Sequence, residues 1–251
     1  MKTLGIIPAR MASTRFPGKP LALLGGKPVI QRVWENASEA VDEIWIATDS
    51  EQIATVAHGF GANCIMTSEN CPGGTQRCAE AASKITTDAD IIINIQGDEP
   101  FITPAHITLL KECFNVPATQ IATLAKRFNP ADGFDALFSP DTPKVVMDDN
   151  GFALYFSRSI IPYVRDVEWQ KWVHSATFFT HVGIYAFRKG IIEQICQLPP
   201  SPLEKAERLE QLTWLAAGYK IKVGVTDIPT LGIDTPADLE AAKKFIDNTT
   251  L

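Results

Sequence analysis

Ile91-Ile92-Ile93-Asn94-Ile95 is the stretch that most restricts the fold of this 251-residue chain. A strand sends successive side chains to opposite faces, so a run with no polar alternation has to be covered on both. That is the mark of a central strand in a parallel sheet lying between helices. Thr3 to Ile7 reads as an opening strand, Ile44 to Ala47 and Cys64 to Met66 as two more, and Ile121 to Ala125 as the one after the isoleucine run. Between them Val29, Ile30, Val33, Trp34, Ala37 and Val41 recur at helical spacing, as do Ile53, Val56, Ala57 and Phe60. Further helices are expected from Gly73-Gly74-Thr75 to about Ile85 and from Pro104 to Phe114. This alternation predicts an α/β fold with a mostly parallel central sheet flanked by helices.

The pattern changes after Pro130. Lys144 to Met147 and Ala153 to Phe156 flank Asp148-Asp149-Asn150-Gly151, and Asn-Gly between two strand runs is a hairpin signal. Thr177 to Phe187 is an aromatic and β-branched strand. Residues 134–174 read as a β-hairpin excursion from the main sheet, a lid or a dimer surface, within a single domain over 1–251. Leu203, Ala206, Leu209, Leu212 and Ala216 line one face of a single helix, with Gly218 just past its end. Ile221 to Val225 is a late strand. Thr235-Pro236-Ala237-Asp238 reads as an N-cap, a first-turn proline and an acidic capping partner.

The net charge of −6 argues against a duplex-binding protein held by phosphate contacts. Five cysteines without a C-x-x-C pair suit neither a zinc site nor a disulfide framework, and imply free thiols in a reducing compartment. No charged leader with an apolar stretch and no run of membrane-spanning length is present, so a soluble, cytoplasmic protein is expected, without membrane insertion.

Against the acidic body stands a cationic loop. Arg10, Arg15 and Lys19, with the hydroxyls of Ser13 and Thr14, follow the first strand directly. Open α/β sheets bind ligands there, outside the carboxyl ends of the strands. Two guanidinium forks and an ammonium suit a polyphosphate. Pro8, Ala9 and Ser13, in the same run, are counted with the nucleotide-binding residues. The loop is neither a P-loop nor a G-x-G-x-x-G fingerprint, which disfavours a nicotinamide dehydrogenase. Gly25-Gly26-Lys27 reads as a turn.

Asp98, in Gln96-Gly97-Asp98-Glu99-Pro100, follows the isoleucine strand at the ligand edge of the sheet, a natural place for a hard-cation ligand. Gly97 would allow close backbone approach there. Asp234 is either a second metal carboxylate or an ordinary acid in a pre-helix turn. Asp49 reads as a helix cap. Arg158 either meets an anion or ends a strand in solvent. His181 and Tyr185 face one side of their strand, though a lone strand histidine is more often structural. Glu207, Glu210 and Gln211 either bond sugar hydroxyls or form a solvated helix face.

I-P-A-R-x-x-S-T-R-F-P-G-K-P-L (Ile7 to Leu21), Q-G-D-E-P (Gln96 to Pro100), A-L-Y-F-S-R-S-x-I-P (Ala153 to Pro162), H-V-G-I-Y-A-F (His181 to Phe187), L-E-Q-L (Leu209 to Leu212) and G-I-D-T-P-x-D-L (Gly232 to Leu239) occur in order. From end to end the chain resembles the 3-deoxy-manno-octulosonate (KDO) cytidylyltransferase family. The opening loop is shared with related cytidylyltransferases. The resemblance implies a nucleotide-diphosphosugar transferase fold, a homodimer, and transfer of CMP from CTP to KDO with loss of pyrophosphate, for lipopolysaccharide biosynthesis. By matching position it implies that Arg10, Arg15 and Lys19 hold the CTP phosphates and that Gly74, Thr75 and Arg77 surround the cytidine. It implies Mg²⁺ on Asp98 and Asp234, and Gln96, Arg158, His181, Tyr185, Glu210 and Gln211 around the sugar acid, with Gln96 counted at both substrates. Arg10, Arg15, Lys19, Asp98 and Asp234 then form the catalytic set. Three positions depart from the family's usual pattern: Gln76 replaces an acid, and Thr180 and Thr213 each replace a cation. Rival readings are a cytidylyltransferase for a sialic acid or an amino-KDO, and a catalytically silent nucleotide-binding module.

Overall fold

The chain opens on β1 (Thr3–Ala9), buried along its length save for half-buried Pro8. A 3-10 turn over Lys19–Leu21 and a small hairpin, β2 (Leu23–Leu24) with β3 (Lys27–Pro28), lead into α1 (Val29–Ser38). Then β4 (Glu43–Thr48), α2 (Glu51–Gly59), β5 (Asn63–Met66), α3 (Gly74–Lys84) and β6 (Ile91–Asn94) alternate. The structure is a computed structural model and describes residues 1–12 and 15–249. It divides into two compact units, Met1–Thr108 with Ala186–Cys196 and Pro229–Leu251, and Leu109–Tyr185 with Gln197–Ile228. Residues 134–174 lie wholly in the second.

In the first unit the order β6-β1-β4-β5 is parallel throughout, with Leu4 opposite both Ile92 and Glu43. Every residue of β6 is buried, as a strand covered on both faces requires. The amphipathic spacing of α1 turns Val29, Ile30, Val33 and Ala37 inward. At the start of α2 the Ser50 hydroxyl accepts the Ile53 N–H. The expected cap at Asp49 is therefore corrected, and its carboxylate is used elsewhere.

Chain order continues with α4 (Pro104–Glu112), β7 (Ile121–Arg127), α5 (Phe134–Phe138), β8 (Lys144–Met147), β9 (Ala153–Ser157), α6 (Trp172–Ser175), β10 (Phe179–Arg188) and α7 (Ile191–Ile195). It ends with α8 (Pro202–Glu207), α9 (Gln211–Ala216), β11 (Ile221–Thr226) and α10 (Pro236–Thr249). In the second unit β7 and β11 run parallel, with Ile121 opposite Ile221, while β8 pairs antiparallel with β9 and β10. The expected hairpin is present, and Gly151 takes the positive φ of 71° that its turn needs. Phe128, Leu137, Trp172 and Phe178 form the apolar cluster beneath residues 134–174.

One expected element divides. The single helix over Leu203 to Ala216 is two, α8 and α9, because Arg208 between them adopts a left-handed φ of 54°. Its N–H closes on the Glu204 carbonyl at 2.7 Å, which ends α8. Gly218 takes a φ of 87° just past α9, as expected of a C′ glycine. Among the described residues no helix is long and apolar enough to cross a membrane.

Candidate active site

Three backbone devices in the first unit aim side chains at one place. Gly18, with a left-handed φ of 71°, turns the loop after β1 so that Lys19 heads the 3-10 turn, and its N–H bonds the Met11 carbonyl at 3.1 Å. Gly97 lets the chain leaving β6 pass the end of β1, since a Cβ there would lie 2.7 Å from the Pro8 carbonyl oxygen. Asp234 is held by the cap of α10. The Asp238 carboxylate accepts the N–H groups of Asp234 and Thr235 at 3.1 and 2.8 Å, and the Asp238 N–H reaches the Thr235 hydroxyl at 3.3 Å.

The two acids, remote in sequence, meet on one ammonium. Lys19 Nζ donates to Asp98 Oδ2 at 2.6 Å and to Asp234 Oδ1 at 3.2 Å, and Arg15 Nη2 lies 3.1 Å from Asp234 Oδ1. They sit in a pocket of about 210 Å³. Pro8, Ala9, Arg10, Arg15 and Lys19 line it from the loop, and Gly74, Arg77 and Gln96 from α3 and the end of β6. Ser13 lies outside the described residues. Thr75 is buried behind the lining and accepts a 3.4 Å hydrogen bond from Asn94 Nδ2, while Asn94 Oδ1 accepts from Gln96 Nε2 at 3.1 Å. Arg77 is buried, with Nη2 on the Asp49 carboxylate and Nη1 on the Thr67 hydroxyl, both at 2.6 Å. It braces the pocket wall, and Asp49 serves as its partner.

Glu99 is a residue that sequence reasoning passed over. Burial pushes its carboxyl up to about 8, the charges of Asp98 and Asp234 add to the rise, and Lys19 opposes it. Its Oε2 is shut off from solvent without a hydrogen-bond partner. The acid next to Asp98 in the Gln-Gly-Asp-Glu-Pro run was the available signal. Cys71 also lines the pocket. Burial and the hydrogen bond to Glu80, at 3.0 Å, push its thiol up to about 11.

The donor set fits a hard divalent cation. The two carboxylates share the Lys19 ammonium, with Arg15 also on Asp234, and among the described residues no cluster of three or more His, Cys, Asp or Glu is placed to cage a metal. Mg²⁺ suits such a half-open set, since it completes its shell with water and substrate phosphates.

The second unit holds a different set. On β10 the rings of His181 and Tyr185 lie 5.3 Å apart, on one side of the strand as expected. Thr123 Oγ1 lies 3.0 Å from His181 Nε2 and donates to the Ile184 carbonyl at 2.8 Å. With that proton committed, the network assigns the imidazole proton to Nε2, leaving Nδ1 as an acceptor. Burial drops the His181 pKa to about 4, so the ring is neutral. Burial, with Glu210 adding, raises that of Tyr185 well above the usual phenol value. Gln211 is buried at the start of α9, and Trp214 meets Tyr185 edge-on at 5.1 Å.

Arg158 is half-buried and uses three of its five guanidinium N–H groups on backbone carbonyls. Its Nε donates to the Glu207 carbonyl at 2.6 Å, Nη1 to that of Pro140 at 2.7 Å and Nη2 to that of Arg208 at 3.4 Å. The Glu207 carboxylate takes the Ser157 hydroxyl at 2.6 Å and the Arg158 N–H at 2.9 Å, so it is no solvated face. Glu210 lines a pocket of this unit with Glu204, Lys205 and Arg208. The Thr213 hydroxyl bonds the Glu204 carboxylate and accepts the Ser201 N–H at 2.8 Å. The Thr180 hydroxyl bonds the Lys126 carbonyl at 3.3 Å.

A family model described as cytidylyltransferase matches residues 4–221. The 3-deoxy-manno-octulosonate cytidylyltransferase of Phocaeicola vulgatus is 54% identical over 98% of this chain and 98% of its own. The chain belongs to that family. A cytidylyltransferase of the same name from Parabacteroides distasonis is 53% identical over 99% of both chains, and the mitochondrial one of Arabidopsis thaliana 44% identical over 98% of this chain and 83% of its own. Among solved structures, a CMP:2-keto-3-deoxy-manno-octonic acid synthetase complexed with CTP matches with a TM-score of 0.89 at 41% identity, covering 99% of this chain and 100% of that one. A 4-diphosphocytidyl-2C-methyl-D-erythritol synthase from Anaerococcus prevotii, 15% identical with a TM-score of 0.61, shares the fold. Membership of the cytidylyltransferase family accords with the mostly parallel sheet and flanking helices expected from sequence.

Proposed function

We propose that the chain transfers CMP from CTP to KDO and releases pyrophosphate. The observation that carries this reading is the meeting of Asp98 and Asp234 on Lys19 inside a pocket that Arg10 and Arg15 also line. The anomeric hydroxyl oxygen of the sugar acid attacks the α-phosphorus in line. A sugar-oxygen-to-phosphorus bond forms, the bond to the bridging oxygen breaks, and pyrophosphate leaves with that electron pair. Such a transfer asks for positioning and charge neutralisation more than for covalent help. Arg10, Arg15 and Lys19 neutralise the triphosphate, with guanidinium forks matching its oxygens. Gly74, without a side chain, leaves room against the pocket wall for the cytidine, and the braced Arg77 keeps that wall in place. Asp98 and Asp234 would hold Mg²⁺, which when bound supplies further positive charge to the phosphates.

For the sugar acid the support lies in the second unit. Neutral His181 offers Nδ1 as an acceptor, and Tyr185, Glu210 and Gln211 offer groups suited to a polyhydroxylated ring. Arg158 supports that region by fastening the chain at Glu207 and Arg208. The activated sugar acid is read as a precursor for lipopolysaccharide assembly. A homodimer is also proposed. Phe138, Trp169 and Tyr163 are 47%, 50% and 75% exposed on residues 134–174, an aromatic surface that a second copy would cover.

The test is pyrophosphate release by purified protein with CTP and Mg²⁺, offered KDO, an amino-KDO or a sialic acid in turn. KDO is expected to give the highest kcat/KM. A preference for a sialic acid would overturn the acceptor assignment, and no release with any acceptor would overturn the reaction.

A further inference from the structure

The segment carrying Asp234 is clamped from two sides. On one, Ile233 is fully buried in a cluster with Leu24, Val29, Leu239 and Ala242. On the other, its N–H donates to the Asp98 carbonyl at 2.9 Å, and Gly232 packs against the Glu99 side chain. A Cβ on Gly232 would lie 2.9 Å from Glu99 Oε1 and 3.4 Å from its Cδ. The far end of a glutamate normally swings away from such a contact. Here Oε2 is already sealed from solvent. Extra bulk at residue 232 presses on the partly exposed Glu99 side chain and on Ile233. Where that pressure passes into the backbone of Glu99 it reaches Asp98, and where it lifts Ile233 it reaches Asp234, so it acts on the distance between the two acids.

We infer that the Glu99 carboxyl and the bare α-carbon of Gly232 form the spacer that sets the separation of the Asp98 and Asp234 carboxylates. Glu99 is a positioning residue here. It is no third ligand, since among the described residues no three such groups are placed to cage a metal. The inference rests on the proposed metal role of Asp98 and Asp234.

Mn²⁺ serves as the probe, its free concentration followed by electron paramagnetic resonance with full-length protein and CTP. Gly232→Ala inserts bulk into the spacer, and Glu99→Ala removes it. Both are expected to weaken Mn²⁺ binding about tenfold, the scale on which groups behind metal ligands act. CTP affinity measured without a divalent cation should stay within about twofold, because the cationic loop is untouched. Glu99→Asp in the Gly232→Ala background, one methylene shorter, should recover most of the loss. Wild-type protein that ignores Mn²⁺ would remove the metal reading and this inference with it. Wild-type uptake with both single variants unchanged would overturn the spacer alone. If Gly232→Ala fails to fold, Glu99→Ala decides the matter by itself.

Discussion

The cationic loop of the first unit and the strand-end cations of the second handle charge differently. In the first, Arg15 and Lys19 face an open pocket and meet carboxylates there, with Arg10 on the same lining. In the second, Arg158 gives three of its N–H groups to backbone carbonyls, fully buried Lys144 donates to the Ser139 and Arg158 carbonyls at 3.0 and 2.6 Å, and burial keeps His181 neutral. Charges left near solvent can trade partners with an incoming polyanion. Charges tied to backbone carbonyls instead hold a shape, although the second unit also lines a pocket with Glu204, Lys205, Arg208 and Glu210.

The largest expected effect tests the charged side. Asp98→Asn keeps shape and removes one negative charge, and should lower kcat/KM for pyrophosphate release by about 10³-fold, the scale of losing one group that stabilises the transferring phosphoryl. The unfolding midpoint should hold. Undiminished turnover would break the comparison at its stronger end.

The next effect sharpens the neutral side. The folded-state pKa of His181, about 4, lies below the ordinary 6.5. Between those values the unfolded chain takes up a proton that the folded chain refuses, so stability falls as pH drops from 6.5 to 4. The loss is on the order of 3 kcal/mol from the size of the shift. Urea unfolding of His181→Gln across that range should show a flatter acid limb than wild type. An unchanged slope would mean that the imidazole is not neutral by burial.

The smallest separates two uses of one residue. Arg158→Ala orphans three carbonyls and should cost about 2 kcal/mol of stability, leaving CTP affinity unchanged. If instead the KM for the sugar acid rises with no drop in the unfolding midpoint, Arg158 works by charge and the contrast between the units narrows.

The sheet and the cap of α10 were legible because their signals are local. The isoleucine run could only be a strand covered on both faces, and Thr235 with Asp238 spelled out a helix start. The break in the 203–216 helix was hidden because Leu203, Ala206, Leu209, Leu212 and Ala216 keep a helical rhythm across it. No Gly or Pro marks the left-handed residue, which is an arginine. The loop cations and the two acids were readable as types of chemistry. Their partners were not. That Asp49 belongs to Arg77, that Arg158 clasps carbonyls, and that Glu99 packs against Gly232 depend on which distant segments touch, and periodicity carries no such information.

Lys19 gives the two acids a resident counter-ion. Without it, the two carboxylates would repel across a backbone contact, Ile233 N–H to the Asp98 carbonyl, that keeps their segments together. A divalent ion held by the two acids, as proposed, would have to displace the Lys19 ammonium, so its net affinity would be the difference between two favourable contacts. A loose grip of that kind would suit the release of pyrophosphate on every cycle. The ammonium, still anchored by its turn, would then be on hand for a phosphate oxygen.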